Sequence, residues 1–582
     1  MRSRAWTPGA RRWQVAPVFD GAGELARQIG TAPLVAQVLH NRGVGTPEAA
    51  RAFLSPKLTD LHDPDMLAGV PAATERIMQA VADGQRIVLY GDYDVDGITG
   101  LAILHACLRM LGAKADFYVP HRIDEGYGVH AEAIRGIVAG GAELIVTIDC
   151  GISNAEALAE ATAGGADVIV TDHHELPERL PEAAAVVHPA LGDYPNSDLC
   201  GAGVAYKLAW ALARRHAGNS RVDEPMRRFL LDATSLAALG TIADVVPLLG
   251  ENRALAAYGL RGLAATEHVG LRALLESANL TGERLHSAHV GFVLAPRLNA
   301  AGRMGHARQA VELLTDAEPD RCREIARYLA QQNTERQRIE REIAAEAAER
   351  VTAEGLDRPE QASIVLASGQ WHDGVIGIVA SRLVDRFARP TVLICVHDDG
   401  TAHGSGRSIP GFHLRDALAA CREHLIAFGG HAMAAGLKIE PGKIDAFAAA
   451  FGDYARRHLP AEMLIPPVEI DAQTTLAALG YNTVEQLERL APFGQGNPPP
   501  TVALAGCQVL TAPRRMGRSG QTVALHLGQN GASMRAVGFN MGELADHLAG
   551  AARVDVAGEP CINRFNGTES VELRLKDVIR SA

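Results

Sequence analysis

Residues 86–100 read RIVLYGDYDVDGITG, and the fold turns on them. Ile87 to Tyr90 is an apolar run suited to a strand. Three carboxylates follow at Asp92, Asp94 and Asp96, and residues 98–112, ITGLAILHACLRMLG, then suit a helix. Strand, polar turn and helix in that order open a βαβ unit. Residues two apart on an extended chain share one face. The three carboxylates therefore crowd together and repel one another unless cations or another strong compensation lie among them. The plain alternative is an exposed acidic turn or a calcium loop, but ITGLAILH lacks the remaining ligand spacing of an EF-hand.

The same logic repeats downstream. Ala115 to Val119 is a strand candidate and Ala131 to Ala139 a helix; ELIVTIDCG then carries Asp149 past a strand end. A helix from Asn154 to Ala163 leads to ADVIVTDHH, which places Asp172, His173 and His174 after the next strand, and Ala184 to Val187 is a further short strand. Alternation of this kind predicts a mostly parallel sheet whose strand ends gather along one edge, where ligands bind. TIADVVP adds Asp244. A lone strand-end Asp is ordinarily a turn or cap, and a lone His pair an ordinary surface or core feature. Together they read as a site for hard, oxygen-preferring cations that also accept imidazole, Mn2+ or Mg2+. Cys150 and Ser153 lack a general-base partner and read as core and turn residues.

The chain's 582 residues exceed a single core, and 59 glycines with 29 prolines imply many tight turns. A formal net charge of −12 excludes a uniformly basic coat but not a local basic groove. The eight cysteines form no CxxC pair, which disfavours a zinc ribbon or disulfide scaffold. The arginines of MRSRAWTPGARRW precede no continuous apolar run, and no span reads as a membrane helix; a cytoplasmic, soluble protein is the expectation.

Residues 1–45 show a mixed helical pattern through Leu25, Ala26, Ile29, Leu34, Val35, Val38 and Leu39, and are expected to cap the next domain. Residues 322–351 contain no glycine or proline and many strong helix formers, predicting a long helix joining two domains, with too weak an apolar seam for a coiled coil. A second α/β pattern begins beyond Pro359. It carries WHDGVIGIVASRL, GSGRSIPGFHL and FGGHAMAAG, where glycines let backbone amides approach an anion and Arg407 adds a charged fork. His372, Ser405, Gly406, Ser408 and His431 join Arg407 as candidate anion-binding residues. No GxxxxGK[ST] loop is present, so ATP use is not indicated. Past Pro466, short alternating strands predict a small all-β barrel, with Arg514, Arg515 and Arg518 as a basic patch and Arg535, Arg564 and Phe565 as further phosphate and stacking candidates. His121, Arg122 and Tyr127 follow another strand end, with Arg122 suited to a phosphate backbone and Tyr127 to a base or to ordinary packing.

The joint pattern DYDVDG, TIDCG, TDHH and TIADVVP resembles the DHH phosphoesterase superfamily. VPHRIDEGYG, APRLNAAGRM, GQWHDGVIGIVASRL, GSGRSIPGFHL, FGGHAMAAG and PFGQGNPPP narrow the likeness to its bacterial single-strand-DNA exonucleases, over nearly the whole chain. The resemblance implies an α/β multidomain chain: an N-terminal helical cap (1–45), a parallel-sheet DHH catalytic domain (46–310), a connecting helix (311–356), a smaller DHHA1-like substrate-binding domain (357–462) and an OB-like nucleic-acid-binding barrel (463–582). It implies one ion on Asp94 and Asp149 and another on Asp96, Asp149, His173 and Asp244, with Asp149 bridging. Related small phosphoesterases carry a histidine four residues before the first ligand Asp; here Tyr90 stands there. That leaves the first sphere incomplete, to be filled by water or Asp92. His174, Asn299 and Arg303 would face the scissile phosphate, and Asp172 would orient the ligands.

The resemblance further implies 5′-to-3′ hydrolysis of single-stranded DNA to 5′-mononucleotides by a two-metal mechanism in repair and recombination. Single-strand-binding protein and a repair helicase are the expected partners, and a monomer the expected state. The alternative is a DHH phosphodiesterase for short RNA or small nucleotides, which the barrel and long helix disfavour. A noncatalytic nucleic-acid binder, the other class considered, requires lost ligands, and apart from Tyr90 the set is present.

Overall fold

A computed structural model describes residues 11–121, 126, 128–218, 221–303, 307–315, 317–517, 520–565 and 567–581. The chain divides into two compact units, one of Arg51–Thr334 with Leu490–Pro499, the other of Met1–Ala50, Glu335–Arg489 and Pro500–Ala582.

The N-terminal segment belongs with the C-terminal region, which corrects the expectation that it caps the next domain. It is also not wholly helical. Strand β1 (Arg12–Val15) pairs in parallel with β12 (Pro467–Ile470). Its helices Ala22–Ile29 and Pro33–Asn41 follow the expected apolar spacing, burying Leu25, Ala26, Val35, Val38 and Leu39. What fixes the docking is Asp471, whose carboxylate accepts from Arg42 Nη1 at 2.7 Å, Asn41 Nδ2 at 3.2 Å and the Thr501 amide at 3.0 Å. Both members of the Arg42–Asp471 pair are buried.

The catalytic candidates ride on a five-stranded parallel sheet of β2 (Arg86–Gly91), β3 (Lys114–Tyr118), β4 (Leu144–Ile148), β5 (Asp167–Thr171) and β6 (Ala185–Val187), in the order β3-β2-β4-β5-β6. β2 and β4 are buried almost end to end, as strands covered on both faces must be. The chain runs outward from β2 to β3, then crosses back to β4 on the other side of β2. The crevice at this reversal lies at the carboxyl ends of β2 and β4, the usual ligand position in such sheets. Helices Val95–Met110, Gly201–His216 and Glu224–Ala243 pack into the same core.

The helix expected over 322–351 runs Pro319–Ala353. Its first turns bury Cys322, Ile325, Ala326 and Leu329 in the core of the first unit, and its last turns bury Ile343, Ala347, Ala348 and Val351 beneath a second α/β sheet. That sheet contains β7 (Ile364–Ser368), β8 (Thr391–Val396), β9 (Ala402–Arg407), β10 (Ala427–Gly430) and β11 (Ala434–Ile439), ordered β10-β11-β9-β8-β7.

The C-terminal strands are β13 (Ala472–Thr474), β14 (Val502–Val509), β15 (Arg514–Met516), β16 (Thr522–Gln529), β17 (Ala532–Gly538), β18 (Arg553–Phe565) and β19 (Thr568–Arg580). β14 pairs with both β18 and β16, closing β14-β18-β19-β17-β16 into the expected barrel. Within this region, Leu490–Pro499, which carries all but the last residue of PFGQGNPPP, clusters with Arg51–Thr334. The buried Arg253 guanidinium draws its acceptors from the carbonyls of Phe53, Ala491 and Pro492, and the Leu248 amide donates to Gln495 O at 2.8 Å. A buried cation needs such acceptors, and this loop supplies them.

Breaking a buried ion pair from one side leaves the other charge uncompensated, at a cost of about 3–5 kcal/mol. Asp471→Ala is therefore expected to lower the unfolding free energy by about that amount in denaturant titration, with faster proteolysis in residues 11–45. A loss below about 1 kcal/mol would mean that the segment is held by its apolar face alone.

Candidate metal centre

Asp94 caps the helix Val95–Met110, accepting from the Asp96 and Gly97 amides at 2.9 and 3.2 Å. Asp96 lies in the first turn of that helix, 1% exposed, and accepts from the Gly201 and Ala202 amides at 2.6 and 2.9 Å. These amides open the helix Gly201–His216, so its positive end faces the Asp96 carboxylate. Asp149 follows β4 in the left-handed region at φ 62°, and Val245, next to Asp244, has φ 63°. A β-branched residue in that region is a genuine outlier, and such conformations gather at functional sites.

Carboxylates from separate segments then converge. His173 Nε2 lies 3.1 Å from Asp149 Oδ1, 3.6 Å from Asp244 Oδ2 and 3.7 Å from Asp96 Oδ2. Potential ligand atoms of Asp92, Asp94 and Asp149 form a second cluster within 4.8 Å of one another. Asp149 thus has ligand atoms near both Asp92 and Asp94 and, separately, His173 and His174, while Asp96, His173 and Asp244 form an adjoining group. Tyr90 is fully buried and donates to Gly128 O at 3.1 Å, so it serves packing.

The donor set fits divalent cations on a direct observation. Asp149 Oδ1 and His173 Nε2 are buried, 3.1 Å apart, and neither makes a hydrogen bond. Burial, then Asp96, Asp94, Asp92 and Asp244, push the Asp149 carboxyl well above its ordinary range. Burial and Asp94 raise Asp96 to about 6; burial, Asp96 and Asp94 raise Asp244 to about 9. Cations among these groups relieve that repulsion.

The two histidines are held in opposite states. Burial and the neighbouring His174 lower His173 to about 3, leaving a neutral imidazole suited to a metal. Burial also disfavours charge on His174, but its 2.7 Å bond to Asp172 Oδ1 outweighs this and lifts it to about 9. Asp172 is 1% exposed and also accepts from the amides of Ile152, His173 and His174. Burial would raise Asp172, yet these bonds and the His174 charge hold it below its ordinary value. Asn299, on the helix Ala295–Arg303, accepts from the Val95 amide at 3.0 Å through Oδ1, fixing the start of the Asp96 helix.

Sequence reasoning missed three supports. His188 Nε2 lies 2.8 Å from His174 O and holds that backbone; its position just past β6, on the same sheet edge, was the available signal. A Cβ on Gly201 would stand 2.6 Å from Asp149 Cβ, and one on Gly240 would stand 2.5 Å from Asp96 Oδ1. Glycine inside an apolar helical pattern signals such close approach.

Other candidates fare unevenly. His121 lines a cavity of about 340 Å3 with Arg308 and Arg321. Arg122, Tyr127 and Arg518, and the side chains of Arg303 and Phe565, lie outside the described residues. On β9, Ser405 and Arg407 alternate with buried Gly406, and Arg407 Nη1 donates to Ser405 Oγ at 3.1 Å. Exposed His431 sits in the β10–β11 turn. Two of the anion-binding candidates have backbone partners of their own. Ser408 is buried and donates to Phe412 O at 2.7 Å, and His372 caps its helix by accepting from the Gly374 amide at 3.1 Å. Both tie down their own backbone. On the barrel, Arg514 is exposed, but Arg515 pairs with Asp546, Arg535 with Glu572 and Arg564 with Glu488 and Glu569. These carboxylates offset much of the positive field expected there.

Parallel sheet, strand-tip carboxylates and the Asp-His-His triplet together define a metal-dependent phosphoesterase of the DHH class. Residues 86–240 match the DHH family N-terminal domain, 361–457 the DHHA1 domain and 470–577 the RecJ OB domain. The chain belongs to the RecJ family. It is 39% identical over 570 residues to the single-stranded-DNA-specific exonuclease RecJ of Bacillus subtilis, covering 97% of this chain and 70% of that one. Identity to the Escherichia coli RecJ is 35% over 584 residues, with 98% of each chain covered. The structure of Thermus thermophilus RecJ in complex with Mn2+ superposes with a TM-score of 0.84 at 32% identity, covering 99% of this chain and 80% of that one.

Two outcomes are expected. Gly201→Ala should displace Asp149 and weaken Mn2+ binding about 10–100-fold in calorimetric titration, with circular dichroism unchanged. Asp96 and Asp244 hold protons more tightly in the folded, metal-free chain than at the ordinary value of 3.8. Their contribution to stability is therefore full below that value and is lost as pH rises through about 6 and then about 9. Bound cations remove this penalty, so saturating Mn2+ should raise Tm more at about pH 8 than at about pH 5.5; an equal or reversed increment would contradict the assignment.

Proposed function

We propose that this chain removes nucleotides from the 5′ end of single-stranded DNA, hydrolysing each phosphodiester with two divalent cations and releasing 5′-mononucleotides. The convergence of Asp96, Asp149 and Asp244 on the neutral His173 imidazole carries the reading. Asp94, Asp149 and Asp92 would hold one cation, and Asp96, Asp149, His173 and Asp244 the other; Mn2+ or Mg2+ suits both. Cations held by these residues would supply a water of lowered pKa and neutralisation of charge on the phosphoryl oxygens.

The protein's own groups do the rest. His174 is kept cationic by Asp172 and donates to a phosphoryl oxygen as charge builds there. Asn299 is a positioning residue for the Asp96 helix. Arg303, one helical turn beyond Asn299, is our candidate for a second phosphoryl contact. Ser405 and Arg407 share one face of β9 and form a charged fork for a terminal phosphate. In the barrel, Phe539 is 60% exposed and available to stack on a base.

The 5′ polarity, the terminal-phosphate requirement and a monomeric enzyme of repair and recombination rest on the motif resemblance, and a cytoplasmic location on the sequence's lack of a signal or membrane-helix pattern. The eight cysteines are all free, which accords with a reducing compartment. Among the described residues no helix is long and apolar enough to cross a membrane. A helicase that frees single strands and a protein that coats them are the partner classes this substrate calls for.

Digestion of end-labelled DNA and RNA, in matched single- and double-stranded forms with Mn2+, Mg2+ or chelator, tests the whole reading. Single-stranded DNA should be shortened from its 5′ end, and chelator should stop the reaction. Equal cleavage of duplexes, or faster hydrolysis of dinucleotides than of long strands, would overturn it. His174→Ala should lower kcat about 10²–10³-fold. Arg407→Ala should instead act mainly on KM for 5′-phosphorylated strands, about tenfold.

A further inference from the structure

A second histidine–carboxylate cluster stands on the second α/β sheet, well separated in sequence from the Asp149 centre. Asp373 is the first residue of the helix Asp373–Phe387. His403 lies on β9 opposite Cys395 of β8, and His397 follows Cys395 by two residues. Cross-strand partners and residues two apart share a sheet face, so Cys395, His397 and His403 point the same way.

The geometry is close. His397 Nε2 is 3.1 Å and His403 Nδ1 3.9 Å from Asp373 Oδ2, and the imidazole centroids are 5.1 Å apart. One ligand atom from each residue lies within 4.8 Å of the other two. His397 Nε2 is buried and makes no hydrogen bond, although Asp373 Oδ2 stands beside it. His173 Nε2 and Asp149 Oδ1 meet in the same way in the catalytic centre. An ordinary His–Asp ion pair would align the ring N–H with the carboxylate; here the nitrogen is aimed elsewhere.

The surroundings hold the groups in place. Cys395 is buried on the same sheet face, directly opposite His403. The 397–401 turn is closed by the His397 amide donating to Thr401 O at 2.8 Å, and pinned by Thr401 Oγ1 donating to Asp399 Oδ1 at 2.7 Å. Supports of this kind orient metal ligands and raise affinity.

We propose that Asp373, His397 and His403 form a third divalent-metal site, selective for an imidazole-preferring transition ion such as Zn2+ or Co2+ over Mg2+. Two imidazoles and one carboxylate are the donor set of such ions, whereas Mg2+ wants oxygen ligands and keeps its waters. Asp373 is 36% and His403 41% exposed at the side chain, so solvent completes the coordination and the ion exchanges freely.

The test uses the full-length chain and Zn2+ or Co2+ itself. Wild type, His397→Ala, His403→Ala and Asp373→Asn are dialysed against Zn2+, and bound metal is counted by mass spectrometry. Co2+ is then titrated against each and its visible spectrum recorded. Wild type should hold about one Zn2+ per chain more than either histidine variant. Its Co2+ spectrum should contain a component absent from both, and Asp373→Asn, nearly isosteric, should bind that ion at least about tenfold more weakly. Mn2+-dependent nuclease activity and circular dichroism report retained folding in every variant. Equal Zn2+ content and superimposable Co2+ spectra across the four proteins would overturn the proposal, whatever the nuclease assay shows.

Discussion

The mutual repulsion of buried carboxylates at the tips of β2 and β4 is the constraint around which the catalytic unit is arranged. Asp96 and Asp149 are nearly inaccessible to water, and Asp92, Asp94 and Asp244 crowd them. No arrangement of neutral side chains makes such a cluster stable with every member charged. The fold answers in two ways. Amides of Gly201 and Ala202, at the positive end of a helix, address Asp96. Asp149 Oδ1 and His173 Nε2 are left aimed at space that divalent cations suit. Raised proton affinity at Asp96, Asp149 and Asp244 is the metal-free expression of this repulsion, and divalent cations relieve it.

Adjacent histidines in one triplet take different work because their neighbours differ. For His173 burial dominates, reinforced by the neighbouring His174 charge, and the ring stays neutral. His174 has Asp172 to itself, and Asp172 is stabilised as an anion by three backbone amides. The same low-dielectric setting keeps one imidazole neutral and, through Asp172, the other cationic. His188 and Asn299 act at one remove, holding the His174 backbone and the Asp96 helix in register.

Some features were legible from local pattern alone. The apolar runs of β2, β4 and β5 were followed by acids, and a proline- and glycine-free run marked the long helix Pro319–Ala353. Others were hidden. The arginines of the barrel read as a basic patch, yet Asp546, Glu572 and Glu488 come from distant positions to offset three of them. Ser408 looked like an anion donor because its neighbours do, and only its burial beside Phe412 shows that it serves a turn. The N-terminal segment showed its helices but not its strand partner, which lies more than 450 residues away.

The sequence by itself determined which chemistry the chain carries. Side-chain type and two- or 3.6-residue periodicity are local properties, and they placed Asp92, Asp94, Asp96, Asp149, Asp172, His173 and His174 just past strand ends. Only the tertiary structure decided how these groups are shared. It brought Asp149 within reach of both Asp92 and Asp94 and the histidine pair, separated the charge states of the two histidines, and sent residues 490–499 to the acceptor-hungry Arg253. Such outcomes depend on distances and dielectric surroundings between residues far apart in the chain, which no local pattern encodes.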